Sequence, residues 1–116
     1  MAELIGVVVS GAAGKMGRTV VAAVRGAADM DLVAEIDEGD DLGAALARPQ
    51  ASVLVDFSTP AAGLANAEAA VAAGISPVIG TTGLPADGVA RIETSCADQR
   101  IGGGVIPNFA LGAVLM

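Results

Sequence analysis

Apolar residues along this chain fall into short unbroken runs that alternate with stretches of helical period. Residues 4–9 (LIGVVV) form the first run and end in Ser10-Gly11. A near-continuous apolar segment of that length predicts a strand buried on both faces, as in a parallel sheet. Residues 15–25 follow, with Met16, Val20, Val21 and Val24 on one helical face and Gly26 as a stop signal. Residues 32–36 (LVAEI) predict the second strand, ending at Asp37. An acidic, glycine-containing stretch then leads to a short, weak helix over residues 42–47, broken by Pro49. Residues 52–57 (SVLVDF) predict the third strand. Thr59-Pro60 reads as an N-cap followed by proline at the first helical position, where its missing N–H is not needed. That helix runs to Ala73, with Gly74 as a left-handed cap. Residues 77–79 predict a very short fourth strand, 86–97 a helix and 101–106 a fifth strand.

This order predicts an α/β chain with a doubly wound, Rossmann-like parallel sheet. Ligands on such sheets bind beyond the carboxyl ends of the strands. The first such segment is GAAGKMG, with glycines at 11, 14 and 17 between a strand and a helix. Gly11 allows the tight turn. Gly14 lets a pyrophosphate approach the N–H groups of the helix start, and Gly17 lets the helix lie close to the strands. The spacing G-x-x-G-x-x-G is one residue longer in its first half than the commoner G-x-G-x-x-G form. The plain alternative is a structural strand-to-helix turn.

Asp37 stands 20 residues after Gly17, at the end of the second strand, where a carboxylate accepts hydrogen bonds from the ribose of NAD. The alternative is a solvated loop acid. Glu35 shares its face by strand alternation but lies further inside. Glu38 follows directly, so a 2′-phosphate would meet negative charge and NADH should bind at least as well as NADPH. Lys15 and Arg18 are the cations placed to compensate. GTTG (80–83) reads either as a tight loop or as a ligand contact through hydroxyls and backbone N–H groups. PNF (107–109) reads either as an amide-binding turn through Asn108 or as a turn with a buried Phe109. Asp56, Ser58 and Thr59 are explained by capping of the helix after Pro60. Cys96, late in a predicted helix, reads as an inert thiol.

At 116 residues the chain is one domain. With 6 Lys plus Arg against 13 Asp plus Glu, the formal charge is −7. That argues against nucleic acid or an anionic membrane as the main partner, while a single bound dinucleotide needs only local positive potential. Hydrophobic residues at 53%, charged residues at 16% and a mean hydropathy of +0.67 exclude intrinsic disorder. Most of the apolar content is Ala and Val, so the core must be built from small side chains. The longest charge-free run, residues 69–86, is broken by glycines and prolines and cannot form a membrane-spanning helix. The start, Met-Ala-Glu, is acidic where a signal peptide is basic. One cysteine and no histidine leave no disulfide framework and no zinc site. The chain reads as cytoplasmic.

Together, VVVSGAAGKMGRTV, AEIDEGD, VDFSTP, VIGTTG and IPNFALGAVLM, in this order and spacing, resemble the N-terminal half of the 4-hydroxy-tetrahydrodipicolinate reductase family, formerly the dihydrodipicolinate reductases. The resemblance covers nearly the whole chain. AEID followed by an acidic loop is similar to the actinobacterial branch, which accepts both NADH and NADPH. The family implies an oxidoreductase of the diaminopimelate route to lysine. It transfers a hydride from NADH or NADPH to a cyclic dicarboxylic imine, giving tetrahydrodipicolinate. Position by position, the resemblance implies a phosphate loop at Gly11, Ala12, Ala13, Gly14, Lys15 and Met16, with Asp37 as the ribose acid. It also implies a nicotinamide-side wall at Gly80, Thr81 and Thr82, and a contact near the reacting ring at Ile106, Pro107, Asn108 and Phe109.

The family continues into a substrate domain whose paired His and Lys act as acid catalyst and substrate-carboxylate binder. This chain has no His and stops at Met116. It is expected to be the NAD(P)-binding domain alone, residues 1–116, binding cofactor without turnover and carrying neither catalytic residue nor metal. The family homotetramer is built mainly through the substrate domain and is not expected to carry over. Two other readings remain open. A short-chain dehydrogenase or epimerase shares the glycine pattern but needs a Tyr and Lys pair, and this chain has no Tyr. A non-catalytic nucleotide-binding module does not explain GTTG and PNF together.

Overall fold

The computed structural model describes residues 4–105. Its elements are β1 (Ile5–Ser10), α1 (Lys15–Gly26), β2 (Met30–Ile36), α2 (Leu42–Leu46), β3 (Ala51–Asp56), α3 (Pro60–Ala72), β4 (Ser76–Ile79), α4 (Ala86–Asp98) and β5 (Gly104–Val105). All strands pair in parallel, in the order β2-β1-β3-β4-β5. The chain leaves β1 for β2, then crosses back over β1 to β3 and continues the other way. The switch of direction therefore lies between β1 and β3, where a crevice opens past the strand ends.

Strand alternation divides the core between the two faces. Val7 and Val9 of β1 pack with Val20, Val21 and Val24 of α1 on one face. Val8 packs with Leu54, with Ala45 and Leu46 of α2, and with Ala70 on the other. Continuing that second face, Ile79 meets Ala67 and Val71 of α3 and Ile92 and Cys96 of α4. The sheet is thus covered on both sides, as a doubly wound fold requires. Small residues carry the helix contacts: Gly63, Ala67, Ala70 and Val71 are the buried positions of α3.

Local signals explain where the elements stop. Thr59 caps α3, its Oγ1 accepting from the Ala62 N–H at 3.3 Å with Pro60 next in line. Gly74 ends that helix in the left-handed region, φ +76. The fifth strand differs from expectation. The Ile101 N–H bonds to the Cys96 carbonyl at 2.8 Å and so belongs to the helix end. Gly103 takes φ +123, where a Cβ would collide with the Pro77 carbonyl, and pairing with β4 begins only at Gly104. Among the described residues no helix is long and apolar enough to cross a membrane.

Candidate functional site

The glycine segment joins β1 to α1 by a turn in which two glycines are required. Gly11 has φ +77, and a Cβ there would lie 2.6 Å from the Phe57 carbonyl. A Cβ on Gly17 would collide with the Gly11 carbonyl and lie 2.8 Å from Ala12 Cα, so α1 reaches the turn only because residue 17 has no side chain. Gly14 is different. A Cβ there would meet nothing nearer than the Gly11 oxygen at 3.5 Å, which is ordinary contact. The protein itself does not demand glycine at 14, and the space beside it is open.

Gly14 is also the N-cap of α1, with no side-chain cap bond and no acidic residue in the first turn. The first N–H groups of the helix lack intrahelical partners and carry the positive end of its dipole. Gly14, Lys15 and Met16 line a cleft of about 450 Å³, opposite Thr81 and Thr82. Ala12 is buried in the core beside α1, and Ala13 is exposed.

Asp37 lies just past β2. Its Oδ1 accepts the Ala13 N–H at 3.0 Å, while its own N–H donates to Asp40 Oδ2 at 2.9 Å. Together with the Gly11 and Ala12 N–H groups, which donate to the Ile36 carbonyl at 2.8 and 3.3 Å, this ties the glycine loop to the end of β2. Asp37 lines a second cleft, of about 440 Å³, at the β1/β3 switch. Glu38 and Asp40 line it too, and among its described lining residues there is no Lys or Arg. Lys15 lines the other cleft, and Arg18 lines neither. Glu35 does not lie inside. It is half exposed and ion-paired with Arg25 at 3.0 Å, a surface pair of small energetic weight.

The two clefts meet at Ser58, and below Ser58 lies a group the sequence reading assigned to helix capping. Asp56 is fully buried. Its Oδ1 accepts from the Ser58 N–H at 3.0 Å, the Ser58 hydroxyl at 2.7 Å and the Thr81 hydroxyl at 2.8 Å. Its Oδ2 accepts from Asn66 Nδ2 at 2.8 Å, and the same nitrogen reaches Ser10 Oγ at 3.1 Å. Of the residues read as caps, only Thr59 caps α3.

Of the GTT segment, Thr81 and Thr82 reach the cleft. Gly80 lies beneath the Phe57 ring, which a Cβ would approach to 2.5 Å at Cζ, and its N–H donates to the Asp56 carbonyl at 2.9 Å. Ile106, Pro107, Asn108 and Phe109 lie outside the described residues. Cys96 sits in the α3–α4 core, away from both clefts. Burial pushes its thiol pKa up, and the nearby negative charge of Glu93 adds to that. An inert thiol fits this position.

The family model described as "Dihydrodipicolinate reductase, N-terminus" matches residues 5–109. A 4-hydroxy-tetrahydrodipicolinate reductase of Corynebacterium efficiens is 46% identical over 116 residues, covering 99% of this chain and 46% of the relative. One from Coxiella burnetii is 40% identical over 112 residues, covering 97% of this chain and 47% of the relative. The dipicolinate-bound dihydrodipicolinate reductase of Paenisporosarcina sp. TG-14 superposes with a TM-score of 0.85 at 28% identity, covering 97% of this chain and 50% of that one. An NAD-binding oxidoreductase of Klebsiella pneumoniae superposes with a TM-score of 0.81 at 19% identity over 91% of this chain and 35% of its own, a likeness of fold alone. The chain spans about half the length of the curated relatives it matches.

Proposed function

Because the chain belongs to the dihydrodipicolinate reductase family, matching the N-terminal part of it, we propose that residues 1–116 are the dinucleotide-binding domain of a 4-hydroxy-tetrahydrodipicolinate reductase. The observation that carries this reading is the open space at Gly14. A glycine that the protein's own packing does not need stands at an uncapped helix start, on the cleft it shares with Thr81 and Thr82. Those features fit a pyrophosphate, whose charge the helix N-terminus and Lys15 would balance. Asp37 would accept from the ribose hydroxyls, and Thr81 and Thr82 would border the nicotinamide half. The bound cofactor, NADH or NADPH, supplies the hydride for reduction of a cyclic dicarboxylic imine.

The chain's own residues bind and orient. None of them is assigned to proton transfer, and we expect cofactor binding by this chain without substrate turnover. NADH should bind at least as tightly as NADPH. A 2′-phosphate at Asp37 would face Asp37, Glu38 and Asp40, with no Lys or Arg among the described residues lining that cleft.

The test is calorimetric titration of the chain with each cofactor, repeated on Gly14→Val. The variant should fold, because its Cβ points into open space, yet lose NADH binding. Undiminished NADH affinity in a folded Gly14→Val would refute the loop assignment.

A further inference from the structure

Asp56 is the one carboxylate among the described residues that is fully buried, and no Lys or Arg pairs with it there. A carboxylate without a counter-charge is tolerated in an interior only when its lone pairs are met by donors. Here four donors meet them, and they come from three separate stretches of chain. The Ser58 N–H and hydroxyl follow β3, Asn66 is on α3, and Thr81 follows β4. Capping of α3 does not need this group, because Thr59 does that work.

We propose that Asp56 is a positioning residue for the dinucleotide site. By holding the Ser58 and Thr81 hydroxyls on one oxygen, it fixes the loop after β4 against the segment after β3 and so sets the nicotinamide-side wall. The proposal rests on the cofactor reading above. Asp56 is too deeply buried to touch a ligand and acts through Ser58 and Thr81, which both line the cleft. The Thr81 hydroxyl hydrogen is committed to Asp56, so the exposed Thr82 and the loop backbone are left to donate toward the cleft. The same carboxylate reaches, through Asn66, the Ser10 hydroxyl at the edge of the Asp37 cleft.

The geometry offers a lever that leaves the cleft untouched. Gly63 of α3 lies behind the pair, and a Cβ there would stand 3.3 Å from Asp56 Oδ1 and 3.4 Å from Thr81 Oγ1. Alanine at 63 raises helix propensity but forces the Asp56–Thr81 pair to shift by a few tenths of an ångström. A carboxylate held by four hydrogen bonds yields only by lengthening some of them.

The experiment is calorimetric titration of the full chain, Asp56→Ala and Gly63→Ala with NADH and, separately, with ADP as a probe of the adenosine half. Thermal melts accompany each titration. Asp56→Ala should lower the ratio of NADH to ADP affinity by about tenfold. Gly63→Ala should keep a cooperative melt while weakening NADH about threefold and leaving ADP unchanged. Equal losses for NADH and ADP in either variant, or unweakened NADH binding in Gly63→Ala, overturns the proposal. Should Asp56→Ala fail to fold, Gly63→Ala decides alone. Absence of NADH binding by the unaltered chain overturns the cofactor reading and this proposal with it. Binding by the unaltered chain that the variants do not alter overturns the proposal alone.

Discussion

Replacing Asp37 with Ala removes two interactions of different kinds, and the two cofactors separate them. One is structural: the Ala13 N–H loses its acceptor at 3.0 Å, leaving the glycine loop held by the two bonds to the Ile36 carbonyl. Ala13 is exposed, so water replaces the carboxylate and the loss is about 0.5–1 kcal/mol, shared by NADH and NADPH. The other is the charge-assisted bond to the ribose 2′-hydroxyl, about 1.5–3 kcal/mol, which NADPH, phosphorylated at that oxygen, cannot donate. At 1.4 kcal/mol per tenfold, NADH should weaken roughly ten- to a hundredfold from the ribose bond and a few-fold more from the loop. NADPH should lose only the loop part. It regains a little from reduced repulsion, since Glu38 and Asp40 stay at the cleft. The ratio of NADH to NADPH affinity should therefore fall about tenfold or more. Asp37→Asn keeps an oxygen for Ala13 and removes the charge, so it should lower the same ratio with a smaller loss of NADH. Calorimetric titration of both variants with both cofactors measures the ratio directly. A ratio unchanged from the unaltered chain would show that Asp37 does not face the 2′ position.

Other expectations concern stability and reactivity. Gly17→Ala drives a methyl into the Gly11 carbonyl and should lower stability by about 2–4 kcal/mol despite the better helix former, read from the urea midpoint. Arg100 sits at φ 57, just past α4. Arg100→Gly should be neutral or stabilising by up to about 1 kcal/mol, and a clear destabilisation in the same assay would contradict the strain. Cys96 should react with a thiol reagent only on unfolding, and rapid labelling of the native chain would show the burial to be wrong. Its raised pKa means the unfolded chain ionises first. The contribution is intact below the ordinary thiol pKa and is lost as the pH rises through that range, so the urea midpoint should drop on the alkaline side.

Much of this architecture could be read directly from the chain. Unbroken apolar runs such as GVVV and VLV have no polar face to expose, so they had to be interior strands. Glycines at 11, 14 and 17 between a strand and a helix left few other geometries. Boundaries moved by a residue or two where backbone pairing, not side-chain polarity, decides the end. Ser10 and Asp56 thus close β1 and β3, paired side by side. Asp56 itself reads as part of a cap for a topological reason. Near the start of α3, an acid and two hydroxyls look like caps, and the acid's distinguishing partners stand 10 and 25 residues away, at Asn66 and Thr81. Only the parallel pairing of β3 with β4 brings Thr81 to it. The available hint was a charged residue closing a strand otherwise buried on both faces. At Gly80, likewise, the chain alone does not show the Phe57 ring that a Cβ there would strike, 23 residues away in sequence.

The interior place of β1 bears on how the protein comes into being. β1 is flanked by β2 and β3, and Val7, Val8 and Val9, at 2%, 0% and 0% exposed, are buried by the helices on the two faces of the sheet. Of the described strands, β1 is made before either of the two strands it pairs with. Its β2 partner is complete at Ile36, its β3 partner only at Asp56. At roughly 5–20 residues per second, that gap is on the order of one to four seconds. Through it a valine-rich strand presents an open edge, the kind of surface on which neighbouring nascent chains pair wrongly. A pause in translation between these two points would lengthen the exposure without altering a single contact of the finished fold.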